Sequence, residues 1–213
     1  MATDFHFDGP EDARFTLLLA HGAGAAMDSA SLNATAKALA TAGIRVARFE
    51  FAYMAARRTG TRKPPPKAET VTPEYIAAVD DLGPTPGPLL IGGKSMGGRV
   101  ASMAADALFD AGRIAGLVCL GYPFHPPGKP TQLRTAHLKG LRTPTLIVQG
   151  TRDEFGIPAE VETYDLSPSI ELLWLEDGDH DLKPRKAISG FTTAQHLATL
   201  AESVQAFATR ISG

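Results

Sequence analysis

Apolar runs and helix-spaced apolar positions alternate along most of this chain, an alternation that predicts a mostly parallel sheet with helices on both faces. Phe5-His6-Phe7 reads as a short edge strand, and Phe15-Thr16-Leu17-Leu18-Leu19-Ala20 as the first long one. The Ala-rich stretch from Ser31 to Ala42 predicts a helix, with Gly43 placed as a C-terminal glycine. Further strands are expected at Arg45–Phe51, Pro88–Ile91, Leu117–Leu120, Pro144–Gly150 and Ile170–Leu175. Between them, Pro73–Leu82 predicts a short helix with Pro in its first turn, and Arg99–Leu108 a second helix. The chain closes on an amphipathic helix from Thr193 to Ile211, with Leu197, Leu200, Val204, Phe207 and Ile211 on one face. The Pro-rich segments Ala56–Lys67 and Gly121–Pro130 read as loops. With no internal repeat and no linker, residues 1–213 are expected to form one domain of seven strands without a cap domain.

One junction in this pattern carries chemistry. The strand Pro88-Leu89-Leu90-Ile91 runs almost directly into the helix that starts near Arg99, through Gly93-Lys94-Ser95-Met96-Gly97. A strand that turns straight into a helix needs a tight bend, and small residues two before and two after the serine let the backbones approach. The bend thrusts the Ser95 hydroxyl outward, the geometry of a nucleophile elbow. Such an elbow calls for an acid and then a histidine further along the chain. Asp153 follows the strand ending at Gly150, and His180 follows the strand ending at Leu175. All three fall past the carboxyl ends of parallel strands, where open sheets place their ligands. In this reading Ser95 is the nucleophile, His180 its general base and Asp153 the group that orients the imidazole. Glu154, next to Asp153, remains an alternative acid, while Asp179 and Asp181 read as loop-forming or solvated.

Attack on a carbonyl makes an oxyanion that needs two prearranged N–H donors. Met96, the residue after the nucleophile, is one. The other is expected from the loop His21-Gly22-Ala23-Gly24-Ala25, either Ala23 or Gly24, with Gly24 also a substrate contact. His21 itself reads as structural, its ring bonded to nearby backbone. Tyr122, Pro123 and Phe124 end another strand on the same edge, as substrate-pocket walls or as packing. Basic residues gather near the expected mouth: Arg57, Arg58, Arg62, Lys63, Arg152, Lys183, Arg185 and Lys186. They suit an anionic acyl or leaving group, or else a solvated rim closed by salt bridges. Lys63-Pro64-Pro65-Pro66-Lys67 is expected to overhang the site as a stiff loop.

Composition narrows the classes. A net charge of −2 gives no sign of nucleic-acid binding, and no apolar stretch is long enough for a membrane span. The first residues lack a basic segment followed by an apolar one, so a cytoplasmic location is expected. The single cysteine, Cys119, sits in an apolar strand and reads as an inert buried thiol. The remaining histidines lack ligand-like spacing. Gly92-Gly93-Lys94-Ser95 also ends like a phosphate-binding loop, but Pro88 stands where that pattern needs its first glycine, and Leu89-Leu90-Ile91 is a strand.

With these motifs, the chain resembles the α/β-hydrolase superfamily along nearly its whole length, in the small, lidless, dienelactone-hydrolase-like branch. More narrowly, it is similar to a group of predicted hydrolases that carry His21-Gly22-Ala23-Gly24, Gly92-Gly93-Lys94-Ser95-Met96-Gly97-Gly98-Arg99, Gly121-Tyr122-Pro123-Phe124-His125-Pro126-Pro127-Gly128-Lys129, Gly150-Thr151-Arg152-Asp153 and Gly178-Asp179-His180-Asp181-Leu182. The resemblance implies a Ser-Asp-His triad on a mostly parallel sheet, and no cofactor. Dienelactone hydrolases proper use a Cys nucleophile where this chain has Ser95, so dienelactone is not the expected substrate. The expected function is cleavage of a small carboxylic ester or thioester through an acyl-enzyme. Two other readings stand beside it: a non-catalytic scaffold used for binding or assembly, and, more weakly, a small-peptide hydrolase. The acyl group, the leaving group and the oligomeric state are not legible in the sequence.

Overall fold

Successive strand residues face opposite sides of a sheet, and in Phe15–Ala20 both sides are buried. Leu17 and Leu19 join one apolar cluster, Leu18 and Ala20 the other. The computed structural model describes residues 2–61 and 63–212. Its elements run β1 (His6–Asp8), β2 (Phe15–Ala20), α1 (Ala30–Thr41), β3 (Ile44–Phe49), α2 (Ala52–Arg58), α3 (Ala68–Leu82) and β4 (Leu89–Lys94). They continue α4 (Met96–Asp110), β5 (Gly116–Leu120), β6 (Thr145–Gly150), α5 (Pro158–Val161), β7 (Ile170–Leu175), α6 (Lys186–Ser189) and α7 (Thr193–Ile211).

The strands form one sheet in the order β1-β3-β2-β4-β5-β6-β7, antiparallel only where β1 pairs with β3. α3 and α4 bury their apolar stripes on one face of the sheet, α1 and α7 on the other. This is the mostly parallel, doubly covered sheet that the alternation predicts. Truncating one of the fully buried leucines of β2 to Ala would cost about 2–5 kcal/mol.

Strand order reverses between β2 and β4: from β2 the chain steps outward to β3, then crosses back to β4 on the other side. That reversal opens a crevice above the carboxyl ends of β2 and β4. Tyr75 of α3 fastens the two strands below it. Its buried hydroxyl accepts from Gly92 N at 2.9 Å and lies 2.8 Å from the Leu18 carbonyl.

Three local expectations need correction. α3 begins at Ala68, so Pro73 lies inside the helix rather than in its first turn. The missing Pro73 N–H frees the carbonyl of Glu69, an exposed residue that solvent can serve, while Val71, Tyr75, Ala78 and Val79 are buried against the sheet and hold the helix through the proline. β3 stops at Phe49 because the Phe51 N–H turns inward to His21 Nε2 at 3.1 Å. Ala56–Arg58, expected in a loop, are helical as the end of α2, whose seven residues are too few to show a helical period. No helix among the described residues is long and apolar enough to cross a membrane.

Candidate active site

β4 ends at Lys94 and α4 begins at Met96, so Ser95 alone makes the turn. Its φ of 52° and ψ of −116° are rarely adopted by residues with a side chain, a strain of order 1–3 kcal/mol. Two backbone bonds hold it there: Ser95 N donates to Leu120 O at 2.9 Å, and Ser95 O accepts from Arg99 N at 3.1 Å. The flanking glycines are required by contact. A Cβ at Gly93 would lie 2.4 Å from the Gly97 carbonyl carbon, and one at Gly97 would lie 2.5 Å from His21 O.

The structure brings Ser95, His180 and Asp153 together. Ser95 Oγ is 2.8 Å from His180 Nε2, and His180 Nδ1 is 2.9 Å from Asp153 Oδ2 and 3.0 Å from Oδ1. An ionised carboxylate only accepts, so Nδ1 carries the ring proton and Nε2 offers its lone pair to the serine hydroxyl. Asp153 is fully buried. Its Oδ1 also accepts from Phe155 N at 2.9 Å, and its Oδ2 from Gln149 Nε2 at 2.9 Å. Glu154, the alternative acid, is exposed. Phe155 lies against the imidazole with ring centroids 4.1 Å apart. The His180 loop is shaped by Asp179, whose Oδ1 accepts from Asp181 N and Lys183 N, both at 2.9 Å.

Across the crevice, His21 is fully buried and its tautomer is set by its partners. Nε2 accepts from Phe51 N, which leaves Nδ1 to donate to Gly22 O at 2.7 Å. Burial pulls its pKa below the ordinary histidine value and keeps the ring neutral. The Tyr53 hydroxyl donates to Ala23 O at 3.0 Å and anchors the next residues of the loop; burial raises that phenol to about 12. Met96 N–H opens α4 and has no partner within the helix.

Two cavities meet at Ser95, Ala23 and Phe155. The smaller, about 330 Å³, runs between α1 and the His180 loop and is mainly apolar, with Gly24, Ala25, Leu32, Leu120 and Leu182 in its walls. Lys94 reaches it too, 3.8 Å from Asp181 Oδ1, its ammonium pulled below the usual lysine value chiefly by burial. The larger, about 820 Å³, extends beneath Pro65 and Pro66, past Met96 and Pro123, to Lys67, Glu69, Arg99 and Arg134. The Pro-rich loop thus overhangs the site as expected.

Tyr122 and Phe124 do not line either cavity. Both are fully buried, their rings tilted against each other with centroids 4.9 Å apart, and Pro123 between them reaches the cavity instead. Tyr122 serves the site from behind: its N–H donates to Gln149 Oε1 at 2.7 Å, and the same amide holds Asp153. The basic residues expected at the mouth are largely paired off. Arg58 bonds Glu50 and Asp28, Arg152 and Arg185 engage Asp177, Lys183 meets Asp181, and Arg57 donates to Lys63 O. Lys63 and Lys186 are exposed, and Arg62 lies outside the described residues.

Gln149, Tyr53, Phe155, Arg99 and Arg134 were not expected as site residues. Only Gln149 carries a signal in the sequence, as the one amide in the apolar run Leu146-Ile147-Val148-Gln149. Cys119 is buried, as read from the sequence, and burial raises its thiol.

A mostly parallel sheet with its crevice at the β2–β4 reversal, a strained serine between strand and helix, and an Asp-His pair past the ends of β6 and β7 define an α/β-hydrolase. The chain belongs to the alpha/beta hydrolase domain family, whose model matches residues 13–209. Solved structures share the fold at low identity. A lidless a/b serine hydrolase from Xanthomonas campestris superposes with a TM-score of 0.70 at 21% identity, covering 98% of this chain and 88% of that one. Dienelactone hydrolase from Anabaena variabilis gives 0.70 at 20% identity, covering 98% and 91%. The Butyrivibrio proteoclasticus protein Est1E, solved with ferulic acid, gives 0.67 at 16% identity, covering 98% and 94%.

Proposed function

We propose that this protein is a serine hydrolase that cleaves a small carboxylic ester or thioester through an acyl-enzyme on Ser95. The observation that carries the reading is the unbroken run of hydrogen bonds from Ser95 Oγ through His180 to a fully buried Asp153. His180 Nε2 takes the hydroxyl proton as Oγ attacks the carbonyl carbon. Asp153 stabilises the imidazolium that forms. The N–H groups of Met96 and Ala23 receive the oxyanion, aided by the positive end of α4. Collapse breaks the bond to the leaving group, which His180 protonates. A water, deprotonated by His180, then attacks the acyl carbon and frees Ser95 as the acid departs. No cofactor enters these steps.

Rapid mixing with excess 4-nitrophenyl acetate tests the route. Wild type should release one equivalent of nitrophenolate per chain in a burst before the steady state, and Ser95→Ala should show none. An equal burst from Ser95→Ala would remove Ser95 from the mechanism.

A further inference from the structure

The two cavities beside Ser95 differ in charge. Of the residues lining the larger one, Lys67, Arg99 and Arg134 are positive, and Glu69 is the one carboxylate among the described residues. Arg99 is half-buried on the first turn of α4; its Nη2 donates to Glu69 Oε1 at 2.5 Å, while its Nε is buried without a hydrogen-bond partner. Arg134 is half-buried as well. Burial, and then the Arg99 charge, pull the Arg134 guanidinium below the usual arginine value, and the same two causes lower His137 behind them. Glu69 thus meets Arg99 through Nη2 and leaves its Nε without a partner. The basic residues outside this cavity are mostly matched to carboxylates; here Arg99 has Glu69 alone, and Arg134 pairs with no carboxylate among the described residues.

Stereochemistry assigns the cavities. The leaving group must stay within reach of His180 Nε2, which protonates it, and His180 lines the smaller, apolar cavity. The carbonyl oxygen must point at Met96 N–H, and Met96 lines the larger, basic cavity. With the leaving group on the side of the smaller cavity, the larger one is left for the acyl chain, which then extends toward Arg99 and Arg134. We propose that the acyl group ends in a carboxylate held by Arg99 and Arg134, so that the substrate is a half-ester or half-thioester of a short dicarboxylic acid with an apolar leaving group. This rests on Ser95 being the nucleophile. Arg99 follows Ser95 by one turn of α4. Guanidinium groups grip carboxylates through paired N–H donors. Hydrolysis follows the steps above: the ester C–O bond breaks, water supplies the hydroxyl, and the dicarboxylate leaves.

Three esters of matched length separate the possibilities, with acid release followed in a pH-stat. Monobutyl glutarate carries the carboxylate on the acyl side. Butyl pentanoate replaces it with a methyl group. 4-(Pentanoyloxy)butanoate carries it on the alcohol side. Wild type should hydrolyse monobutyl glutarate with kcat/KM about tenfold or more above either of the others, the range expected for a charge-assisted bond. Arg134→Gln should cut that ratio several-fold, and Arg134→Lys should restore part of it. Ser95-dependent hydrolysis without that ranking, or with the alcohol-side anion preferred, overturns this inference and leaves the nucleophile in place. Absence of Ser95-dependent hydrolysis of all three overturns both. The ranking uses wild-type protein, so it decides even if a variant fails to fold.

Discussion

Asp153 and the Arg99–Arg134 pair hold charge beside the same crevice on opposite terms. Asp153 is fully buried, and both its oxygens accept hydrogen bonds from Gln149, Phe155 and His180. The two arginines are half-buried and have one neighbouring carboxylate, Glu69, among the described lining residues. A buried ion is stable only with its bonds complete, so the first arrangement is closed and positions a partner already present. The second is open, and its unfilled donors suit a partner that arrives.

The largest effects should come from the closed side. Ser95→Ala should lower kcat by about 10⁴-fold or more, measured on any ester the wild type accepts. Ser95→Gly should be equally inactive yet more stable by roughly 1 kcal/mol in urea unfolding, because glycine tolerates the φ of 52°. Asp153→Asn should cost on the order of 10⁴-fold in kcat, since an amide favours the wrong imidazole tautomer. Gln149→Leu should destabilise the fold by roughly 1–3 kcal/mol in urea unfolding, as it strips partners from Asp153 Oδ2 and Tyr122 N–H. It should also lower kcat with KM little changed.

A smaller effect concerns pH. The native His21 pKa lies below its ordinary 6.5, so beneath that value the unfolded chain binds a proton that the native chain refuses. Stability should therefore fall as pH drops from about 6.5 toward 5, and His21→Gln should flatten that part of the curve in thermal melts. At the exposed rim, Lys183→Gln should change stability by no more than about 0.5 kcal/mol, because the Lys183 and Asp181 side chains are 49% and 48% exposed and their pairing is screened. A loss of several kcal/mol there would blur the contrast between closed and open charge.

The same contrast explains what the sequence reveals. The elbow is legible because Gly93, Ser95 and Gly97 are neighbours in the chain and their sterics act locally. Asp153 and His180 are legible because each directly follows an apolar strand, so topology carries them to the same edge. The basic cavity is not legible: Lys67, Arg99 and Arg134 come from three distant segments, and their convergence depends on packing. Charge counting along the chain favours Arg58, Arg152 and Arg185, which the fold pairs with Glu50, Asp28 and Asp177. Tyr122 and Phe124 lie on the right edge, but as buried support rather than pocket wall.

The role of Ser95 is tested most directly by intact-protein mass after exposure to a fluorophosphonate, for wild type and Ser95→Ala side by side. A single adduct on folded wild type, mapped to Ser95 and absent from the variant, is the expected result. Folded wild type that takes up no adduct, or a variant that labels equally, would contradict an activated nucleophile at this position.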